Sequence, residues 1–268
     1  MDQRVLQILE GFPPLPKSIE RINALCQAPE VDILAFARAV ESDPMLFSNL
    51  LRIVNAPYYG FHSQITSVRH ALTLFGVQKV HGLILQFAVS EYGGTDLKAY
   101  GVSIDQWLDT MRLQQEFLFH LLKIDDDPAA FIKLSGVMFV LEMGKLTADY
   151  VLEQTGKTHR FKERDPYRLR DEERSVIGVT GDELAAELFE QWEFEKEFID
   201  LFRHSMDAEN TTAHRRVAAM LQVARTLITV YGLQPLESVA SLVADFGLNP
   251  EHVASSYATI RERSAPQS

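Results

Sequence analysis

The sequence predicts an all-α protein, and two observations carry this prediction. Apolar residues recur at the three- and four-residue spacing of amphipathic helices through nearly the whole chain, and no run shows the alternation of a strand. Helix-ending and helix-starting residues, such as Gly11 and the pair Asp43 and Pro44, stand between these segments. With 268 residues and 46% hydrophobic content, the chain can bury a sizeable core. We therefore expect a helical bundle of two lobes.

The first predicted lobe covers residues 1–94 and is made of short helices. After the first helix, residues 13–16 form a proline-rich connector, because each proline fixes its own φ and restricts the residue before it. We interpret this connector as a structural linker in preference to a peptide ligand, since Phe12 and Leu15 are typical core anchors. Helices of this lobe are predicted at residues 3–10, 18–27, 33–40, 45–54, 67–76 and 77–91.

The second predicted lobe covers residues 95–268 and contains longer helical patterns. Between residues 157 and 174 the sequence is a dense mixture of both charges, which is typical of a solvated loop. The alternative is a docking or switching segment, because Phe161 and Tyr167 within it could fold onto a partner. Helices of this lobe are predicted at residues 104–124, 128–155, 172–191, 194–204, 211–231, 236–246 and 250–261.

Charge and composition narrow the classes of function. The formal net charge of -11 disfavours nucleic acid and anionic membranes as partners, because both attract an excess of Lys and Arg. A helix-turn-helix interpretation of residues 67–85 is disfavoured for the same reason. Cys26 is the only cysteine, so a disulfide is impossible, and it falls on a predicted core face. The chain lacks a signal-peptide pattern and an apolar stretch of roughly 20 residues. We expect a cytoplasmic protein.

Four blocks of the first lobe stand out, at residues 12–16, 42–44, 51–60 and 65–76. Their order and spacing are similar to those of the HDOD family, the HD-related output domain of bacterial signalling proteins. The resemblance covers roughly residues 10–210. It implies an all-α, two-lobe regulatory domain that acts as a protein-interaction module and not as an enzyme.

The same resemblance implies that a metal site has been lost. Residues 134–146 resemble a metal-ligand helix of HD-type hydrolases, but Leu141 and Glu142 stand where the His-Asp pair belongs. Leucine cannot bind a metal, so we expect neither a metal nor another cofactor. Our hypothesis is that Arg225 replaces the charge of the metal and pairs with Asp109 or Glu142. The other implied ligand positions are occupied by Asp109, Gly181, the pair His204 and Ser205, and Arg225.

The sequence therefore favours a non-catalytic signalling module that binds a protein of its pathway. We predict a contact surface between the lobes, beside the charged segment, formed by Tyr58, Tyr59, Phe61 and Trp107. One alternative is a sensor for a small, nucleotide-type ligand, whose vestigial pocket would be lined by Asp109, Arg112, Glu142, Lys145, His204 and Arg225. The other is residual metal-dependent phosphohydrolase activity.

Overall fold

The computed structural model describes residues 1–28, 30–56, 63–92, 96–211 and 214–264. Helices dominate these residues, so the predicted all-α class is confirmed. Contacts group the chain into two units, a small unit of Pro13–Tyr92 and a large unit of Met1–Phe12 with Gly93–Ser268. The first helix, α1 (Gln3–Glu10), was expected in the first lobe, but it packs on the large unit, where Phe12 meets the ring of Tyr150.

The small unit consists of short helices whose starts follow from their capping residues. Asp32, Asp43 and Ser67 each accept a hydrogen bond from a backbone N–H of the first turn that follows. Apolar side chains at helical spacing fill the core between the helices. The helices are α2 (Lys17–Cys26), α3 (Ile33–Glu41), α4 (Pro44–Val54), α5 (Val68–Phe75) and α6 (Val77–Ser90).

Asn55 fixes the turn that follows α4. Its side-chain amide donates to the carbonyl oxygens of Leu51 and Ile65, each at 2.8 Å, and its Oδ1 accepts from the Ile65 N–H at 2.8 Å. One side chain therefore ties the end of α4 to Ile65. The predicted contact residues Tyr58, Tyr59 and Phe61 lie outside the described residues.

Helices α5 and α6 meet at an angle of 117°. The sharp bend is made at Gly76, whose φ of 78° is easy for glycine and costly for other residues. The arrangement has the outline of a helix-turn-helix, but none of the residues in α6 is fully exposed. A recognition helix must present a face to the major groove, so the structure disfavours this interpretation. Among the described residues, no single helix has the length and apolar character to cross a membrane, although this bent pair passes that test together.

The large unit contains the long helix α7 (Ile104–Asp125), which begins at a capping box between Ser103 and Gln106. It is followed by shorter helices than the sequence predicted, because turns at residues 138–142 and at Gly178 divide two predicted helices. These shorter helices are α8 (Pro128–Val137), α9 (Met143–Gln154), α10 (Pro166–Ile177), α11 (Gly181–Gln191), α12 (Lys196–Arg203), α13 (Arg215–Leu227), α14 (Ala240–Asp245) and α15 (Pro250–Ser264).

Two small hairpins also occur in the large unit, although the sequence analysis found no strand. Their strands have two residues each, which is too short for an alternating pattern to be detectable. The first hairpin precedes α7 and the second follows α13. Their strands are β1 (Asp96–Leu97) with β2 (Val102–Ser103), and β3 (Ile228–Thr229) with β4 (Gly232–Leu233).

The charged segment of residues 157–174 is not the solvated loop that we expected. Its second half forms α10, capped by Asp165, while its first half runs back along this helix. Glu172 holds the two halves together, because its Oε2 accepts from the N–H groups of Lys162 at 2.9 Å and Glu163 at 3.0 Å. Phe161 is buried and its ring lies 4.8 Å from that of Tyr100, centroid to centroid. The segment is thus an ordered part of the large unit.

Candidate functional site

A buried arginine lies at the centre of the large unit. Arg225 projects from α13 and is only 6% exposed. Its Nη1 and Nη2 donate to the two carboxylate oxygens of Asp182 at 3.0 and 2.9 Å, and Nη1 also donates to the Ser205 hydroxyl at 2.7 Å. This paired geometry matches a planar guanidinium to a planar carboxylate. Burial lowers the pKa of Arg225, but the charges of Asp182 and Glu142 raise it by a larger amount. The net pKa is above that of an ordinary arginine, so the side chain is a permanent internal cation.

Glu142 is the second carboxylate of this site and stands at the N-cap of α9. Its Oε1 accepts from the Gln114 amide at 2.6 Å and lies 3.5 Å from Nε of Arg225, while Oε2 accepts from the Lys145 ammonium. Burial raises the pKa of Glu142, but the neighbouring Lys145 and Arg225 lower it more, and the net result is below its ordinary value. The carboxylate is therefore held ionised and fully paired.

The two carboxylates come together because α9 and α11 touch backbone to backbone. A Cβ added to Gly144 would lie 2.6 Å from Oδ1 of Asp182 and 2.8 Å from its backbone nitrogen, and a Cβ on Gly181 would collide with the Gly144 carbonyl. Thr147 fastens the crossing by donating to the Gly181 carbonyl at 3.2 Å. Only glycine at both positions permits this approach.

Helix α10 covers the site and adds a third carboxylate. Glu173 is buried and accepts from the Tyr100 hydroxyl at 2.7 Å and from the Gly181 N–H at 2.8 Å. Burial and the nearby charge of Asp182 raise the pKa of Glu173 above its ordinary value. Arg170 of the same helix donates to Asp182 at 2.8 Å, and together with Arg225 it outweighs burial and lowers the pKa of Asp182.

The space left between these side chains is a cavity of about 20 Å³. A cavity of that size holds about one water molecule. No group of three or more His, Cys, Asp or Glu residues suited to a metal ion occurs in the described part of the chain. A divalent ion would meet a fixed guanidinium, and Asp182 and Glu142 already have cationic partners, so the residues present do not fit a catalytic metal.

Three of the residues predicted for the pocket are brought together, namely Glu142, Lys145 and Arg225, and all three line the cavity. The other three do not line it. Asp109 is largely exposed and pairs with Arg112 at 3.3 Å. Nδ1 of His204 lies 2.9 Å from the Asp200 carbonyl, so this histidine is held at its own helix end.

Of the two partners predicted for Arg225, Glu142 lies at 3.5 Å, whereas Asp109 is absent from the cluster. The chief partner is Asp182, which was not predicted. Trp107 was predicted to contact a partner protein, but it is fully buried and its indole N–H donates to the Glu142 carbonyl at 2.8 Å. Trp107 is therefore an interior residue that helps to position the backbone of Glu142, and it offers no surface to a partner.

A comparison with known protein families bears on the small unit and the start of the large one. Residues 12–112 match the HDOD domain family. The resemblance predicted from the sequence blocks is thereby confirmed for this part of the chain. Among curated proteins, none matches the chain.

Solved structures with a similar fold extend the comparison to nearly the whole chain. An HDOD domain protein from Geobacter sulfurreducens is 17% identical, with a TM-score of 0.64, and the match covers 97% of this chain and 92% of that one. A protein from Marinobacter aquaeolei VT8, named for signal transduction, is 20% identical with a TM-score of 0.70, and the match covers 98% of this chain and 59% of that one.

A third similar structure comes from Shewanella amazonensis SB2B and is named as a phosphohydrolase. It is 16% identical with a TM-score of 0.67, and the match covers 98% of this chain and 94% of that one. Similarity at this level of identity establishes the fold and leaves the chemistry to the residues of the site. The fold of the chain is thus shown, while its function depends on Arg225 and its neighbours.

Proposed function

We propose that this protein is a non-catalytic signal-transduction module that acts by binding another protein. The observation that carries the proposal is Arg225, whose guanidinium stands among the carboxylates of Asp182 and Glu142. The match of residues 12–112 to the HDOD domain supports the signalling role. The fold shared with a protein named for signal transduction is consistent with it.

The number of possible metal ligands and the charge of the site both disfavour catalysis. A catalytic metal needs at least three protein ligands and an open position for water or substrate. Leu141 is buried and apolar at one implied ligand position, and Arg225 brings a positive charge to another. The carboxylates of Glu142 and Asp182 are already ionised and paired with cationic side chains. The chain keeps a hydrolase-like scaffold with a closed salt-bridge cluster at its centre.

A nucleotide sensor is less well supported than a protein-binding module. The cavity beside Arg225 has room for about one water molecule, whereas ligand pockets for drug-sized molecules are roughly 300–1,000 Å³. A nucleotide would have to displace Arg170 and Glu173, which close the site from α10. The energetic cost of leaving Asp182 with fewer partners makes this entry unfavourable.

The test of the proposed function joins a metal measurement to a partner search. Protein expressed with added manganese, iron and zinc is purified, its metal content is measured by mass spectrometry, and it is assayed with bis(p-nitrophenyl) phosphate. We expect far less than one metal per chain and no hydrolysis above the buffer control. The tagged protein is then crosslinked in its own host, and we expect a stoichiometric protein partner. A stoichiometric metal with hydrolysis would overturn the non-catalytic assignment.

A further inference from the structure

In the charged segment of residues 157–174, acidic side chains have internal partners more often than basic ones, which the sequence alone does not show. The segment contains seven Lys and Arg residues and five Asp and Glu residues, which is close to balance. The structure uses most of the acidic side chains internally. Asp165 caps α10, Glu172 ties the loop to the helix, and Glu173 is buried against Tyr100. Only Glu163 and Asp171 are left without such a role among the described residues of the segment.

Most basic side chains of the segment, in contrast, form no ion pair among the described residues. Two of them are used in ion pairs, Arg170 with Asp182 and Arg174 with Glu183. The other five are exposed and make no ion pair with any residue that the structure describes. We call these five the basic patch, and they are Lys157, Arg160, Lys162, Arg164 and Arg168.

The patch is held on a fixed framework. Glu172 bonds to the backbone of Lys162 and Glu163, and Phe161 is buried, so the loop that carries four of the five cations is anchored at its middle. Lys157 reaches the far end of α10, where its Nζ donates to the Val176 carbonyl at 3.2 Å. At the near end, the Arg164 guanidinium stacks on Tyr231, 4.0 Å from the ring centroid. A preorganised patch binds a partner with less loss of conformational entropy than a flexible loop.

We infer that the basic patch is the docking surface for an acidic segment of a partner protein. The inference rests on the proposed function and names the surface through which it acts. Five unpaired cations on a chain of net charge -11 form a local field of the opposite sign, which attracts an acidic partner and orients it. Tyr167, 40% exposed beside these cations, adds an aromatic contact of the kind that contributes strongly to binding.

A protein partner fits this surface better than a polyanion does. Charges are screened beyond about 8 Å at physiological ionic strength, so a short acidic segment responds mainly to the patch. A nucleic acid or an anionic membrane extends past the patch and meets the acidic remainder of the surface. Asp171 and Glu163 lie among the cations and would repel closely spaced phosphates, but they can pair with basic residues of a mixed-charge protein surface.

The test compares two charge-reversed variants with equal net charge. The patch variant is Arg160→Glu, Lys162→Glu and Arg168→Glu. The control variant is Lys123→Glu, Lys196→Glu and Arg261→Glu, which reverses three exposed cations elsewhere on the large unit that form no ion pair among the described residues. Binding of a short fluorescein-labelled peptide of Glu and Ala is followed by fluorescence anisotropy. A Lys and Ala peptide, single-stranded DNA and phosphatidylserine vesicles serve as comparison probes.

We expect the acidic peptide to bind the wild type and to bind the patch variant at least about tenfold more weakly, with the control variant close to wild type. Equal weakening in both variants, no binding of the acidic peptide, or preferred binding of DNA or vesicles would each overturn the inference. Circular dichroism checks the fold of both variants. If the patch variant does not fold, the neutral substitutions Arg160→Gln, Lys162→Gln and Arg168→Gln replace it.

The partner search separates this inference from the proposed function. Lys157 and Lys162 carry primary amines, so a carbodiimide, which activates a carboxylate and leaves as its urea when the amide forms, should couple them to acidic stretches of the partner in the host. A partner crosslinked only at other lysines overturns the docking surface and leaves the protein-binding function standing. Failure to recover any partner counts against the proposed function, while the peptide assay judges the patch independently.

Discussion

Arg225 and Asp182 are joined by two parallel hydrogen bonds, Nη1 to Oδ2 at 3.0 Å and Nη2 to Oδ1 at 2.9 Å, in the interior of the large unit. The same guanidinium lies 3.5 Å from Oε1 of Glu142 through its Nε atom. One cation on α13 is therefore shared by the N-terminal ends of α9 and α11, where helix dipoles also favour the two carboxylates. The cluster therefore links α13 to the N-terminal ends of α9 and α11.

Removing the arginine should destabilise the large unit strongly. In Arg225→Met, the ionised carboxylate of Asp182 stays buried without its main partner, and we expect a loss of about 3 kcal/mol or more in the free energy of unfolding. Arg203→Met removes an exposed arginine from its pair with the similarly exposed Glu190, and should cost no more than about 1 kcal/mol. Chemical denaturation of both variants measures the difference.

The double variant Arg225→Met with Asp182→Leu tests the cause. If an uncompensated charge is responsible, removing both partners should recover part of the stability lost in the single variant. A double variant that is less stable by the sum of the two single losses would show that packing and not charge pairing dominates at this position.

Because α9 and α11 touch backbone to backbone, a single methyl group added at this crossing should destabilise the folded protein. In Gly181→Ala, the added Cβ meets the Gly144 carbonyl, which is backbone and cannot move without shifting α9. We expect a destabilisation of about 1–3 kcal/mol, as for other overpacked sites. Gly136→Ala in α8 is the control, because its Cβ would meet only the edge of the Phe198 ring at 3.2 Å and the change improves helix propensity. Equal melting temperatures for the two variants would contradict this account.

His81 should make the stability of the small unit depend on pH. Burial lowers the pKa of His81 to about 4, from 6.5 for an ordinary histidine, and its Nε2 lies 2.6 Å from Oδ1 of Asn23. Between these two values the unfolded chain binds a proton that the folded chain does not, so stability is lost as the pH falls through this window. The full loss is about 3 kcal/mol. His81→Gln keeps a donor for Asn23 but cannot titrate, and denaturation at pH values across the window should show a flatter slope. An unchanged slope would exclude this assignment.

Glu172 should control the order of the loop that carries the basic patch. In Glu172→Ala, the N–H groups of Lys162 and Glu163 lose their charged acceptor, and their hydrogen exchange should become about tenfold faster. Asp171→Ala removes the neighbouring exposed carboxylate and should leave these amides unchanged. Hydrogen–deuterium exchange with mass spectrometry of this region distinguishes the two variants. Similar exchange in both would mean that Phe161 alone holds the loop.

The sequence predicted the helical class and named Glu142 as one of two partners for Arg225, but it did not indicate Asp182, which is the chief partner. The resemblance assigned an implied ligand position to Gly181, whereas the inward-facing carboxylate belongs to Asp182. Apolar periodicity does not reliably predict which residue faces inward in the first turn of a helix. The chain changes direction at the cap, so no preceding helical turn sets the positions that face the core. The capping box formed by Thr180 and Glu183 was the available signal, since it places Asp182 in the first turn.

The charged segment was misjudged for a different reason. Its composition pointed to solvent, yet the pair Asp165 and Pro166 is the same helix-start signal that was recognised at Asp43 and Pro44. The density of charged residues does not reveal which acidic side chains form internal hydrogen bonds. Glu172 and Glu173 both accept hydrogen bonds from backbone N–H groups, and these bonds order the segment. Contacts of this kind join residues far apart in the chain, such as Tyr100 and Glu173, and are invisible to local patterns.

A positive charge that belongs to a side chain differs from a bound ion in how it can be lost. A coordinated ion exchanges with solution, so scarcity, a chelator or a competing ion can empty its site. Arg225 is part of the polypeptide and remains protonated at any pH that a cell experiences. The positive charge that Arg225 brings to this site is therefore in place as soon as the chain has folded. It needs no loading step and does not vary with the supply of nutrient metals.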